Sequence, residues 1–87
     1  PVEVETALNS HSDVIDSAAV GVEDNVYGEV VKAFVIKKQN SSLTERELIK
    51  YVSERLANFK VPKYISFVHE FPRNNLGKVD KKALKNM

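Results

Sequence analysis

Residues Glu29 to Lys37 read EVVKAFVIK, an apolar run interrupted only by Lys32. The run has the length of a strand but lacks the strict polar alternation of a half-exposed one. Val30, Val31, Ala33, Phe34, Val35 and Ile36 leave hardly any polar face, so this strand is expected at the centre of a sheet, covered on both sides. Upstream, Val14 to Val22 is rich in β-branched and small residues and reads as a first strand, with Gly21 marking a bulge or a close contact. Glu23 to Gly28 is a short polar turn between the two, which predicts an antiparallel hairpin.

The remaining elements cover the hairpin. Pro1 suits a first helical turn, and Val4, Ala7 and Leu8 recur at helical spacing to about Ser10. After a surface loop at Lys38 to Ser42, Thr44 and Glu47 are spaced as a capping box. Leu48, Ile49, Val52 and Leu56 then trace one helical face to near Ala57. Phe59 to Pro62 breaks that helix, and Lys63 to Phe71 resumes a strand. A strand, a helix and a strand of one sheet imply a right-handed crossover and a parallel pair. The expectation is therefore an α+β fold: a three-stranded mixed sheet packed with two main helices and a short C-terminal helix.

That last helix belongs to the most informative stretch, FPRNNLGKVDKKAL at residues 71–84. Pro72 cannot donate to a ladder and should end the strand. Asn74, Asn75 and Gly77 turn a chain cheaply, Gly77 at positive φ. Asp80 is placed as an N-cap, with Val79 and Leu84 as a hydrophobic staple across it. Lys78 thus stands at the exit of a braced turn. It is either a solvated surface lysine or a compact point charge presented to phosphate or carboxylate oxygens.

Composition limits the chemistry. Eighty-seven residues form one small domain that buries roughly 60 to 65% of its unfolded surface, too little for a complete two-substrate active site. The glycines Gly21, Gly28 and Gly77 lie far apart, so there is no phosphate-cradling loop and the chain cannot hold ATP unaided. There is no cysteine, and His11 and His69 are too few for a metal cluster. No apolar run approaches the roughly 20 residues of a membrane span, and no leader opens the chain. A start at Pro1 fits an excised fragment. Charge is uneven: residues 1–57 carry six basic and ten acidic side chains, residues 58–87 seven and two. The basic second half is either a solvated face or a surface for a phosphate-bearing partner. Nucleic acid is disfavoured, because no helical basic stripe or RNA-binding aromatic signature is present.

The run PRNNLGKVDKKAL resembles the closing motif of the adenylate-forming enzymes, which comprise acyl-CoA synthetases, luciferases and peptide-synthetase adenylation domains. PVEVETALNSH resembles the segment after that superfamily's hinge, and VIDSAAVGVEDNVYGEVVKAFVI the hairpin of its C-terminal domain. LTERELIKYVSERLANFKVPKYISFVHEF completes the domain, so the likeness covers nearly the whole chain in the right order. The hinge residue and the large N-terminal domain with its phosphate loop are missing from these residues.

The resemblance implies a mobile C-terminal domain whose Lys78 serves adenylate formation, bridging the acid carboxylate and the ribose and phosphate oxygens. Gly77 supplies the turn that presents it. ATP and CoA are the implied co-substrates. Mg2+ is expected in the full-length enzyme but not on this domain, and the implied partner is the N-terminal domain of the same polypeptide. YGEVVKAFVI is most similar to acyl-CoA and aryl-CoA ligases. In related ligases the places of Tyr27, Gly28, Phe59, Lys60 and Lys63 touch CoA, although Phe59 and Lys63 also suit plain packing and exposure. Arg73 reads as a surface residue, and a cytoplasmic location is expected. The alternatives are a peptide-synthetase or luciferase-like domain, or a self-standing domain binding an acidic partner. The carboxylic acid itself cannot be read here, because its pocket belongs to the other domain.

Overall fold

The strand predicted as central is central in the computed structural model, which describes residues 2–87; the helical role read for Pro1 lies outside them. In chain order the elements are α1 (Val2–Asn9), β1 (Val14–Asp24), β2 (Gly28–Lys37), α2 (Glu45–Ser53), a 3-10 turn (Asn58–Lys60), β3 (Tyr64–Phe67) and α3 (Lys81–Lys85). The sheet order is β1-β2-β3. β1 runs antiparallel to β2 with Ala18 opposite Phe34 and Ala19 opposite Ala33, and β3 runs parallel to β2 with Ile65 opposite Ala33. The expected α+β architecture is observed.

Alternation along β2 divides the core in two. Ala33 and Val35 point to one side, where Val4 and Leu8 of α1, Leu48 and Val52 of α2, and Ile65 close over them. Phe34 points to the other, against Ala18, Val20, Phe71 and Leu84 of α3. β1 forms an outer edge, and α1 lies along it: the Ala19 N–H donates to the Glu5 carboxylate at 2.8 Å, and the Ser17 hydroxyl to Asn9 Oδ1 at 2.7 Å. Both bonds satisfy polar groups that a bare edge would leave open. No helix among the described residues is long and apolar enough to cross a membrane.

Some details differ from the sequence reading. Gly21 is not a bulge, since it pairs in register with Val31; the irregularity lies between Val14 and Asp16. The close contact is real, because a Cβ on Gly21 would stand 2.8 Å from Glu29 Oε1. α2 stops at Ser53 rather than near Ala57, and Arg55 and Leu56 both donate to the Val52 carbonyl at 3.0 Å. That tightened turn still seats Leu56 in the core. β3 ends at Phe67, four residues before the expected Phe71. Val68 N–H makes a last bond to Val35 O at 2.9 Å, and the chain then leaves the sheet edge so that Phe71 can pack beneath Phe34.

The capping box of α2 is complete: Glu47 N–H donates to Thr44 Oγ1 at 3.2 Å, and Thr44 N–H to Glu47 Oε1 at 2.9 Å. Thr44→Ala should therefore cost about 1 kcal/mol. Leu48→Ala, at a fully buried position, should cost about 2–5 kcal/mol. Urea unfolding of the 87-residue chain measures both. A Leu48 variant no less stable than the Thr44 variant would contradict the packing described.

Candidate functional site

Two exposed features stand on opposite sides of the sheet, and the first is the turn that carries Lys78. An antiparallel bridge between Arg73 and Val79 closes it. Inside, Asn74 N–H donates to Lys78 O at 2.9 Å and Gly77 N–H to Asn74 O at 3.0 Å. The Asn74 side chain binds the turn a second time, its Oδ1 accepting from Leu76 N–H at 2.9 Å and Lys78 N–H at 3.1 Å. Gly77 has φ +80°, a left-handed conformation that L side chains resist. Arg73, read from sequence as a surface residue, donates to Gly77 O at 3.0 Å and so braces the same turn.

The exit of the turn is equally fixed. Asp80 N–H donates to Pro72 O at 2.8 Å, and the Asp80 carboxylate caps α3 by accepting from Ala83 N–H at 3.0 Å. Val79 packs against the same cluster as the fully buried Leu84, which is the expected staple. Lys78 itself is exposed, and among the described residues its ammonium takes no ion pair. Its charge is left to solvent.

The second feature is a cleft of about 480 Å³ between the β1–β2 turn and the 3-10 turn. Val30, Val31 and Val61 supply its apolar lining, Val31 and Val61 packing against the core on the α1 and α2 side of the sheet, and the exposed rings of Tyr27 and Phe59 line it with Glu29 and Lys63. Of the five residues expected around an acceptor, Tyr27, Phe59 and Lys63 line this cleft. Gly28 and Lys60 do not. Gly28 shapes the hairpin turn at φ +83°, and Lys60 pairs with Glu3.

Asp24 holds this end together, a role that the sequence reading missed by treating residues 23–28 only as a polar turn. Its Oδ1 accepts from Val26 and Tyr27 N–H at 2.9 and 3.1 Å, while its Oδ2 meets Lys63 Nζ and the Tyr64 hydroxyl, each at 3.1 Å. The Lys63 ammonium also lies 4.4 Å from the centre of the Tyr27 ring. The two backbone donors, followed by Lys63, hold the Asp24 carboxyl far below its ordinary range, and Asp24 in turn raises Lys63. An Asp placed two and three residues before turn N–H groups was the available signal. The partner Lys63, 39 residues away, was not.

The family model described as the AMP-binding enzyme C-terminal domain matches residues 3–78. The chain belongs to this family. It is 40% identical over 86 residues to the long-chain-fatty-acid–CoA ligase of Yersinia pestis, covering 99% of this chain and 15% of that protein. Among solved structures, apo MatB from Rhodopseudomonas palustris superposes with a TM-score of 0.94 at 35% identity, covering 99% of this chain and 17% of that one. The amide bond synthetase McbA from Marinactinospora thermotolerans gives 0.90 at 34%, covering 95% and 17%. This AMP-binding C-terminal domain thus spans about a sixth of the length of the relatives it matches.

The pH dependence of the domain follows from Asp24. Its pKa is depressed on folding, so the stability it contributes is present above the ordinary carboxylate value of 3.8 and is lost as pH falls through the lower folded value. Asp24→Asn should therefore destabilise the domain at pH 6 and lose that penalty as the medium is acidified below the ordinary value. Denaturation of both forms across this range checks the sign. A penalty that grows on acidification would contradict the charge network described.

Proposed function

We propose that this chain is the mobile C-terminal domain of an acyl-CoA ligase, acting with a larger N-terminal domain that binds ATP and the carboxylic acid. The observation that carries the reading is Lys78, without an ion pair among the described residues, on a turn braced by hydrogen bonds and set on the sheet face opposite an aromatic cleft. A two-step ligase needs two such surfaces. In the first step the acid carboxylate attacks the α-phosphorus of ATP and pyrophosphate leaves. The Lys78 ammonium stabilises the negative charge on the reacting oxygens without bonding covalently to them. In the second, the CoA thiolate attacks the acyl carbonyl and AMP leaves. A rigid rotation of the domain would withdraw Lys78 to solvent and bring the Tyr27 and Phe59 cleft to the acceptor.

The cleft suits a nucleotide better than a small amine. Two exposed rings and an apolar lining offer stacking surface for adenine, and Lys63 offers positive charge. Lys63 and Lys60 are each already paired with a carboxylate, so CoA phosphates would share or displace Asp24 and Glu3. An amine acceptor, as the name of the amide bond synthetase implies for that enzyme, needs no such platform. The Mg2+ that accompanies ATP is assigned to the larger domain, which on this reading holds the triphosphate. The demand for ATP and CoA fits a cytoplasmic enzyme.

In the full-length enzyme Lys78→Ala should cut adenylate formation by about a hundredfold or more, the scale of losing one positioned electrostatic group. Thioester formation from supplied acyl-adenylate should change little. Lys78→Arg should also be poor, because a planar fork does not replace a compact ammonium. Conversely, Phe59→Ala should raise the KM for CoA about three- to tenfold and spare adenylation. Separate assays of the two half-reactions decide the assignment: equal losses in both for Lys78→Ala would overturn it.

A further inference from the structure

The Lys78 turn is stiff internally, but internal stiffness does not aim it. The turn joins the domain through Phe71 before it and Val79 and Leu84 after it, all packed against Ala18, Val20 and Phe34. Apolar burial is non-directional: it fixes depth and leaves a five-residue helix such as α3 free to roll. Among the described residues, one ion pair opposes that roll by tying α3 to a fixed point on the rest of the domain. Lys81, three residues after Lys78, places its Nζ 2.8 Å from Glu5 Oε2, and the same oxygen accepts the Ala19 N–H at 2.8 Å.

The contact joins three elements. Glu5 is held by the backbone of β1, so Lys81 reaches past α1 to the sheet edge itself. Its position makes the pairing more than incidental. Lys81 opens α3, where unpaired backbone N–H groups already concentrate positive charge and a cation is disfavoured. Glu5 relieves that conflict. The side chains are 21% exposed for Glu5 and 45% for Lys81, and the Glu5 carboxyl is held below its ordinary range by Lys81 and the Ala19 N–H in spite of partial burial. A half-exposed pair of this kind adds little stability, so its consequence is orientation.

We propose that Glu5 and Lys81 form a strut that aims the Lys78 turn, which makes both of them positioning residues for adenylate formation. The inference rests on the role proposed above for Lys78. In the full-length enzyme, Lys81→Met should lower the kcat of adenylation about tenfold, short of the hundredfold that a misplacement of about 1 Å costs. The KM for ATP and thioester formation from supplied acyl-adenylate should stay within about twofold. Glu5→Gln, which keeps an acceptor for the Ala19 N–H but loses the charge, should reproduce that pattern. Lys81→Arg, which keeps the pair, should restore most of the rate.

Other outcomes would overturn the proposal. Adenylation at the parent rate in both Lys81→Met and Glu5→Gln would remove the strut. A loss in Lys81→Met that Glu5→Gln does not share would mean that Lys81 acts on substrate itself. Equal losses in both half-reactions would mark a merely structural pair. Lys78→Ala, assayed alongside, separates the two levels. If it too spares adenylation, the reading of Lys78 fails; if it abolishes adenylation while both strut variants keep the parent rate, only the strut fails.

Discussion

The fold depends on burying both faces of β2. Ala33, Phe34 and Val35 are consecutive and at most 1% exposed, so one strand requires cover on two sides. Only α1 and α2 are long enough to cover one side, and the other is closed by the single ring of Phe71 with the five-residue α3. The domain is therefore asymmetric about its sheet. The thin side carries a turn whose backbone is tied down by hydrogen bonds, and the thick side ends in a cleft between loops. Both are built on one buried strand, from opposite sides of it. An enzyme that uses both must move the domain as a body, and this links the burial of β2 to the two-step reading.

The sequence made the local parts of this arrangement legible. The hairpin followed from two β-rich runs around a polar turn, the α2 start from the Thr44–Glu47 spacing, and the α3 start from Asp80 with Val79 and Leu84. Each rests on interactions within a few residues. What could not be read was set from a distance. β3 is short because β2 offers it only the stretch from Lys32 to Val35 before Phe71 is needed elsewhere. Asn74 was seen as a turn former, but its double use of Oδ1 depends on how the chain closes around Gly77. The roles of Asp24 and Glu5 were not legible because their partners, Lys63 and Lys81, lie 39 and 76 residues further along.

Those two pairs also change the meaning of the uneven charge. An acidic first half and a basic second half suggested an outward basic face. Three of the four ion pairs among the described residues instead join the two halves: Lys60 to Glu3, Lys63 to Asp24 and Lys81 to Glu5. Three of the seven basic side chains of the second half are thus engaged in internal contacts. This weighs against a self-standing domain that recruits an acidic partner through its second half. The two more exposed pairs, Lys60 to Glu3 and Lys81 to Glu5, contribute little stability but do fix which surfaces meet.

Lys78 differs from other lysines without an ion pair by the turn that carries it. The chain has carboxylates to spare, and Lys60, Lys63 and Lys81 each find one, yet the lysine on the most constrained turn is left exposed and unpaired among the described residues. A carboxylate beside it would neutralise the charge in advance and would have to be displaced before any substrate oxygen could take its place. A flexible turn would require the ammonium to be ordered at the moment of reaction. The domain avoids both costs, the first by leaving the cation unpaired and the second by fixing the backbone on either side of it through Asn74, Gly77, Arg73 and Asp80. Preorganised charge of this kind acts most strongly where water is excluded, and an exposed tip acquires such surroundings only by insertion into another surface. On the role proposed for Lys78, its ammonium would therefore act only when the whole domain is docked against a second body.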